Sequence, residues 1–405
     1  MRSSRHQTAG RGRLGVYVDT VVDISHRDEI HTVRTNAASL AFLTFVCEVG
    51  SRFPGLTIFA RQSGDAGADF ELPGRPGLAG LPYYPSLSPR ALAANALTTV
   101  RAMWRHLDEV DHVWVFGPHP YGLLLTVLAT ARRRRVTLGV RQDTVHYFAS
   151  RIQPGARRTG VMLAVRLLDA SWRLLSRRLP TTVVGAGIEK AYGGPRTGLY
   201  PMSVSLIRQR DLRPAGPRRE LTGPIELLAV GRLAPEKNPM MLLDALAMLH
   251  SRHPDRFRLT WVGDGELRSA VRARAAELGI GDVVSLPGFV PIGEELMEYY
   301  RRADLFVLTS VTEGLPQALV EAQANAVPIV ATDVGGVGVV LDNGRAGILV
   351  PSGDATALAE SIDGLVADSA RLSALVERGR ELAETRTLEA TSASAAAFLA
   401  AGTRQ

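Results

Sequence analysis

From Ile225 onward, short apolar runs that close on glycine alternate with longer stretches of helical pattern, and this alternation limits the fold more than any other feature. Ile225–Val230 ends at Gly231, and Asn238-Pro239 then opens a helix, with Asn suited to the N-cap and Pro to the first helical position. Further strands are expected at Leu259–Val262, Val283–Leu286, Leu305–Thr309, Pro328–Ala331 and Ile348–Val350. Helices are expected after Gly265 through Leu278, over Glu294–Ala303 and Pro316–Ala326, and from about Thr356. Strands and helices joined by short glycine-bearing turns build a parallel, doubly wound α/β sheet. Such a sheet binds ligands at the carboxyl ends of its strands.

The first half repeats the pattern with strands at Leu14–Val18, Leu56–Phe59, Val113–Phe116, Val136–Val140 and Thr182–Val184. Helices are expected over Thr35–Val49, Ala91–Leu107, Tyr121–Arg132 and Arg157–Arg178. Pro73–Pro89 reads as a long surface loop. Arg208–Pro224, with three prolines, reads as a linker. The expected order is a basic flexible tail over 1–13, a domain over 14–207, the linker over 208–224, a second domain over 225–385, and a tail over 386–405 that packs back on the first domain.

A length of 405 residues is long for a single core and predicts two or three units. One cysteine, Cys47, excludes an internal disulfide framework and a Cys-rich metal site, which fits a reducing compartment. The polar, basic start from Met1 to Arg13 has no apolar h-region behind it, and no stretch reaches the ~18–20 apolar residues of a membrane span. A cytoplasmic protein is therefore expected. Charge is divided unevenly: residues 1–219 carry 31 Lys+Arg against 15 Asp+Glu, whereas residues 220–405 carry 16 against 25. The basic half suits an anionic lipid surface, which would make the protein peripheral on the inner face of a membrane, or an anionic acceptor. No recognised nucleic-acid-binding motif accompanies the charge, so nucleic acid is not an expected partner.

Four segments carry the chemistry. In Gly231-Arg232-Leu233-Ala234-Pro235-Glu236-Lys237-Asn238-Pro239 a tight turn sets two cations beside a helix start, a combination that binds a diphosphate and stabilises charge on a departing phosphate. The plain alternative is a solvated loop with two surface cations. Glu313-Gly314-Leu315-Pro316 followed by Glu321 supplies two carboxylates near free amides, suited to accept hydrogen bonds from sugar or ribose hydroxyls. The alternative here is a helix-start acid and a solvent-facing helical Glu. Gly263 and Gly265, and then Gly288-Phe289, lie at strand ends, where glycine permits close backbone approach and Phe289 offers a flat surface for a base.

Taken in order and spacing, these segments resemble family 4 of the glycosyltransferases, as do Ala303-Asp304-Leu305-Phe306-Val307 and Gly335-Gly336. The resemblance runs from about Ile225 to Ala367. It implies a GT-B fold, with two Rossmann-like domains facing across a cleft, and a metal-independent, anomer-retaining transfer from a nucleotide-sugar donor that needs no cofactor. The first domain would bind the acceptor and the second the donor. Arg232 and Lys237 would hold the diphosphate, Glu313 the transferred sugar and Glu321 the ribose. Gly231, Gly263, Gly265, Gly288, Phe289, Gly314 and Leu315 would complete the donor site. The acceptor would be a hydroxyl of a glycan, glycolipid or natural product. A catalytically silent nucleotide-sugar-binding or scaffold protein is the alternative.

The first half departs from the family. Asp19-Thr20-Val21-Val22-Asp23 stands where a glycine-rich loop is usual. The histidine many members place near the anomeric carbon has two candidates, His119 and His146, and Arg141 is a candidate for binding an acidic acceptor or the donor phosphate. Arg157–Arg178 reads either as a helix lying on an anionic membrane or as an ordinary helix packing its apolar stripe on the sheet.

Overall fold

A computed structural model describes residues 12–27, 30–63, 70–85, 88–142, 144–151, 156–193, 198–214, 221 and 223–401. The chain divides into two compact units, residues 1–206 with 388–405, and residues 207–387. The expected tail over 1–13 lies almost wholly outside the described residues.

The first unit runs β1 (Leu14–Arg27), β2 (Ile30–Thr35), α1 (Ala37–Gly50), β3 (Leu56–Gln62), β4 (Phe70–Glu71), β5 (Gly77–Leu81), α2 (Pro89–His106), β6 (His112–Gly117), α3 (Pro120–Ala131), β7 (Arg135–Val140), α4 (Thr144–Arg151), α5 (Ala156–Ser176), β8 (Thr181–Val184), α6 (Ala186–Ala191) and β9 (Leu199–Met202). Its parallel path is β5-β3-β1-β6-β7-β8-β9. Two expectations need correcting. Pro73–Pro89 is not all loop, because Gly77–Leu81 pairs with β3 as a parallel strand. The first strand does not stop at Val18: β1 continues to Arg27 and turns back as an antiparallel pair with β2, after a register irregularity between Tyr17 and Val21.

The second unit runs β10 (Ile225–Val230), α7 (Pro239–Arg252), β11 (Phe257–Val262), α8 (Arg268–Glu277), β12 (Val284–Gly288), α9 (Glu294–Arg302), β13 (Leu305–Leu308), α10 (Gln317–Ala324), β14 (Ile329–Thr332), α11 (Val337–Val340), β15 (Ile348–Val350), α12 (Ala355–Val366) and α13 (Ser369–Thr385). Strand order β12-β11-β10-β13-β14-β15 is that of a doubly wound sheet, with the order reversing between β10 and β13. Leu305 and Val307 join one core cluster while Phe306 and Leu308 join the other, so both faces of β13 are covered, as a parallel sheet requires.

The front of the expected linker belongs to this unit. Ile207 is buried in its core, and the Arg213 N–H donates to the Ala324 carbonyl at 2.8 Å. The last helix, α14 (Leu388–Ala401), completes the first unit: Leu388, Ala395, Ala396 and Leu399 are buried with Phe42, Val46 and Val49 of α1.

Candidate functional site

The reversal between β10 and β13 places the two richest motifs side by side. The chain leaves β10 at Gly231 and β13 at Thr309, and two bonds tie the loops together. The Thr309 hydroxyl donates to the Lys237 carbonyl at 3.0 Å, and the Val311 N–H donates to the Glu236 carbonyl at 2.9 Å. Lys237 Nζ then reaches Glu313 Oε1 at 2.5 Å, and the Ser310 hydroxyl donates to the same oxygen at 2.6 Å. The pair is largely shielded, with side chains 22% and 10% exposed. Arg232 is mostly exposed and donates to Glu236 of its own loop.

These groups open on one cavity of about 690 Å³. Gly231, Arg232, Lys237 and Glu313 line it, as do Gly263, Phe289, Leu315 and Glu321. Phe289 stands exposed at its edge, as a stacking surface requires. Glu321 is buried, and the Tyr300 hydroxyl donates to its Oε2 at 2.6 Å. Burial drives the Glu321 carboxyl above its usual range, and the bond from Tyr300 opposes that rise. Reading Glu321 as a solvent-facing helical acid is thereby excluded. α10 begins after Pro316, whose side chain offers no cap, so the first-turn amides at Gln317 and Ala318 lie at the cavity wall.

Other expectations shift. Asn238 takes the N-cap position of α7 in a left-handed conformation (φ 46°) and makes no side-chain cap bond, so its role there is to bend the backbone after the 235–237 turn. Gly265, Gly288 and Gly314 are not among the described residues lining the cavity. The glycines are instead explained by neighbouring backbone. A Cβ on Gly263 would stand 2.0 Å from the Gly231 carbonyl oxygen, and one on Gly265 2.3 Å from that of Leu233. Gly288 accepts from the Gly263 N–H at 2.8 Å, which fixes one loop against the next. Gly314 meets nothing within 4 Å and is the open member of the set. Tyr300 and Ser310 were not evident from sequence. Each acts through a hydroxyl on a glutamate, and neither carries a motif.

In the first unit His119 caps α3. Its Nδ1 accepts from the Tyr121 N–H at 3.2 Å and lies 2.7 Å from the Tyr17 hydroxyl. An Nδ1 that accepts a backbone N–H leaves the ring proton on Nε2, which faces Asp19 Oδ2 at 3.4 Å and the Tyr84 hydroxyl at 3.3 Å. Burial lowers the His119 pKa, Asp19 opposes this and Arg61 adds to it. Both ring nitrogens are thus turned toward the protein. The partly exposed member of the group is Asp19, which also binds Arg61 Nε at 3.0 Å and the Tyr84 hydroxyl at 2.7 Å. Arg141 is exposed with its guanidinium 3.6 Å above the Phe42 ring. His146 is on α4, and its side chain lies outside the described residues. Within the Arg132–Arg135 run, Arg132 stacks on Trp104 at 3.9 Å and pairs with Asp108, and Arg134 lies 3.6 Å from the same acid.

Among the described residues no helix is long and apolar enough to cross a membrane, and no cluster of His, Cys, Asp and Glu stands ready for a metal.

Residues 217–382 match the family model "Glycosyl transferases group 1". The chain is 38% identical over 223 residues to the D-inositol 3-phosphate glycosyltransferase of Thermobispora bispora, covering 52% of this chain and 51% of that one. It thus spans about half the length of the curated relatives it matches. Among solved structures, Anabaena Alr3699/HepE in complex with UDP superposes with a TM-score of 0.65 at 16% identity, over 96% of this chain and 100% of that one. A glycosyltransferase from Rickettsia africae ESF-5 gives 0.67 at 14% identity, over 97% and 99%. The second unit therefore matches the group 1 glycosyl transferases over most of its length, and the chain has the GT-B fold of two Rossmann-like units.

Proposed function

We propose that this protein is a retaining glycosyltransferase that moves a sugar from a nucleotide-diphosphate sugar to a hydroxyl acceptor without a metal ion. One observation carries the reading: Arg232, Lys237, Glu313 and Glu321 line one cavity at the point where the strand order of the second unit reverses. Lys237, Arg232 and the first amides of α10 form a cationic wall suited to a pyrophosphate, and they stabilise the charge it gains as the glycosidic bond breaks. Glu313 accepts hydrogen bonds from the transferred sugar, and Glu321, shared with Tyr300, accepts from the ribose. HepE was solved with UDP, which makes uridine diphosphate sugars the first donors to try.

The test begins with thermal shift against a panel of nucleotides and nucleotide sugars, since a ligand that binds only the folded state raises its melting point. Donor turnover is then compared in wild type, Glu313→Gln and Lys237→Ala, with and without EDTA. Both variants should be folded and nearly inactive, and EDTA should leave the wild type unaffected. Full activity in both variants defeats the reading. Tight donor binding with no turnover on any acceptor or on water leaves a silent nucleotide-sugar-binding protein.

A further inference from the structure

α5 packs one face on the first unit. Met162, Val165 and Trp172 are buried, and Trp172 is wholly removed from solvent. That stripe accounts for the helix's place in the fold, and a helix packed this way normally turns polar side chains outward. The outward face of α5 departs from the pattern. Leu163, Leu167 and Leu174 are 59%, 61% and 57% exposed, and spacings of four and seven residues set them in one line along the helix. Single exposed leucines are ordinary, but an aligned set marks a surface built to be covered. Arg166 beside that line, and Arg177 and Arg178 just past its end, are exposed. Arg173 is held by Asp169 at 2.6 Å and takes no part.

Arginines beside the leucine line decide the occupant. Two such faces brought together would set like charges against each other, which disfavours a second copy of the chain. A surface with an apolar interior and anionic headgroups complements both features. We propose that this face of α5 seats the protein on a bilayer containing anionic lipid, with the three leucines in the acyl boundary and Arg166, Arg177 and Arg178 at headgroup phosphates. The packing stripe and the docking stripe occupy opposite sides of one helix.

This proposal stands apart from the transfer reading and is tested on the full chain without any donor or acceptor. The protein is sedimented with phosphatidylcholine vesicles and with vesicles of phosphatidylcholine and phosphatidylglycerol, at low and high salt. Expected is co-sedimentation with the phosphatidylglycerol vesicles alone, weakened by salt. The variant Leu163→Asp/Leu167→Asp/Leu174→Asp should lose on the order of tenfold or more of that binding, and so should Arg166→Glu/Arg177→Glu/Arg178→Glu. Near-UV circular dichroism checks that both variants keep their folded tryptophan environment, and the arginine variant leaves the apolar line untouched should the leucine variant fail to fold. Absence of wild-type binding, equal binding to both vesicle types, or unchanged binding in the folded variants overturns the proposal. So does light scattering that shows a dimer abolished by the leucine variant, which would assign the face to a second copy.

Discussion

Lys237 Nζ stands 2.5 Å from Glu313 Oε1, although 76 residues separate the two in the chain. The cation is paired with a carboxylate that Ser310 also holds, so on the proposed reading a pyrophosphate would have to compete for it. Removing the lysine would leave Glu313 shielded with only one donor. Lys237→Ala should therefore lower turnover by about a hundredfold or more and also lower stability by roughly 1–3 kcal/mol. Adding Glu313→Gln should cost less stability than the sum of the single changes, because the shared pair is lost once. Urea titration of the four proteins measures this, and strict additivity would show the pair to be energetically idle.

Tyr300→Phe removes one hydroxyl and nothing else from the floor of the site. Glu321 would remain buried without the Tyr300 donor, so nucleoside diphosphate affinity should fall by about tenfold, and stability by roughly 1–2 kcal/mol. Isothermal titration with inorganic pyrophosphate separates the effects: pyrophosphate binding should be nearly unchanged if Glu321 serves the ribose.

Gly336→Ala should be severe although the position contributes no side chain to the site. Its Cβ would stand 1.8 Å from the Gly314 carbonyl oxygen, and the Gly336 N–H donates to the Glu313 carbonyl at 3.2 Å. Since the obstacle is backbone, the Glu313 loop must move. A stability loss of about 3 kcal/mol or more, with turnover falling further than stability explains, is expected from melting and kinetic measurements.

His112 predicts a weakness toward acid. Burial first, and Arg135 second, push its pKa from 6.5 down to about 4, and its Nε2 is engaged with Thr137 at 2.9 Å. The unfolded chain takes up a proton on this ring below the ordinary value while the fold holds it neutral. Its contribution is thus complete above about pH 6.5 and is lost as pH falls toward about 4, to a limit of about 3 kcal/mol. Urea midpoints at the two ends of that window should converge in His112→Gln relative to wild type.

His119 is separated from a catalytic role by two substitutions. Asn can cap α3 as the imidazole does, whereas Ala cannot, so His119→Ala should lose roughly 1 kcal/mol more stability than His119→Asn. With both nitrogens turned inward, His119→Asn is expected to keep turnover within about tenfold of wild type. A folded His119→Asn protein with turnover abolished would return the histidine to the reacting centre.

The second unit was legible because each of its strands is a short apolar run stopped by a turn residue, and because its acids and cations sit at those stops. Gly77–Leu81 is hidden in the sequence for the opposite reason. Its glycines and the flanking prolines signal a loop, yet β3 holds the segment through backbone bonds that do not depend on side chains. The acids at Asp19 and Asp23 break the apolar pattern after Val18 and hide the extension of β1, although Val22 and its hairpin partner Thr35 are buried and Val33 of β2 joins the core. Tyr300 stood 21 residues before the glutamate it serves, at a spacing fixed by packing of α9 on α10 and by no local rule. Arg157–Arg178 admits two readings in sequence because a helical pattern shows how many apolar residues exist, and only packing shows how many of them the core consumes.

Because α14 supplies part of the first unit's core while residues 207–387 form the second, the chain visits the first unit, departs and comes back. A ribosome delivers the interior of the second unit in one uninterrupted run, but it withholds the helix that seals Phe42, Val46 and Val49 until after that run is complete. Synthesis order and folding order therefore disagree: the unit begun first is the unit completed last, and until α14 arrives it carries an apolar gap along α1.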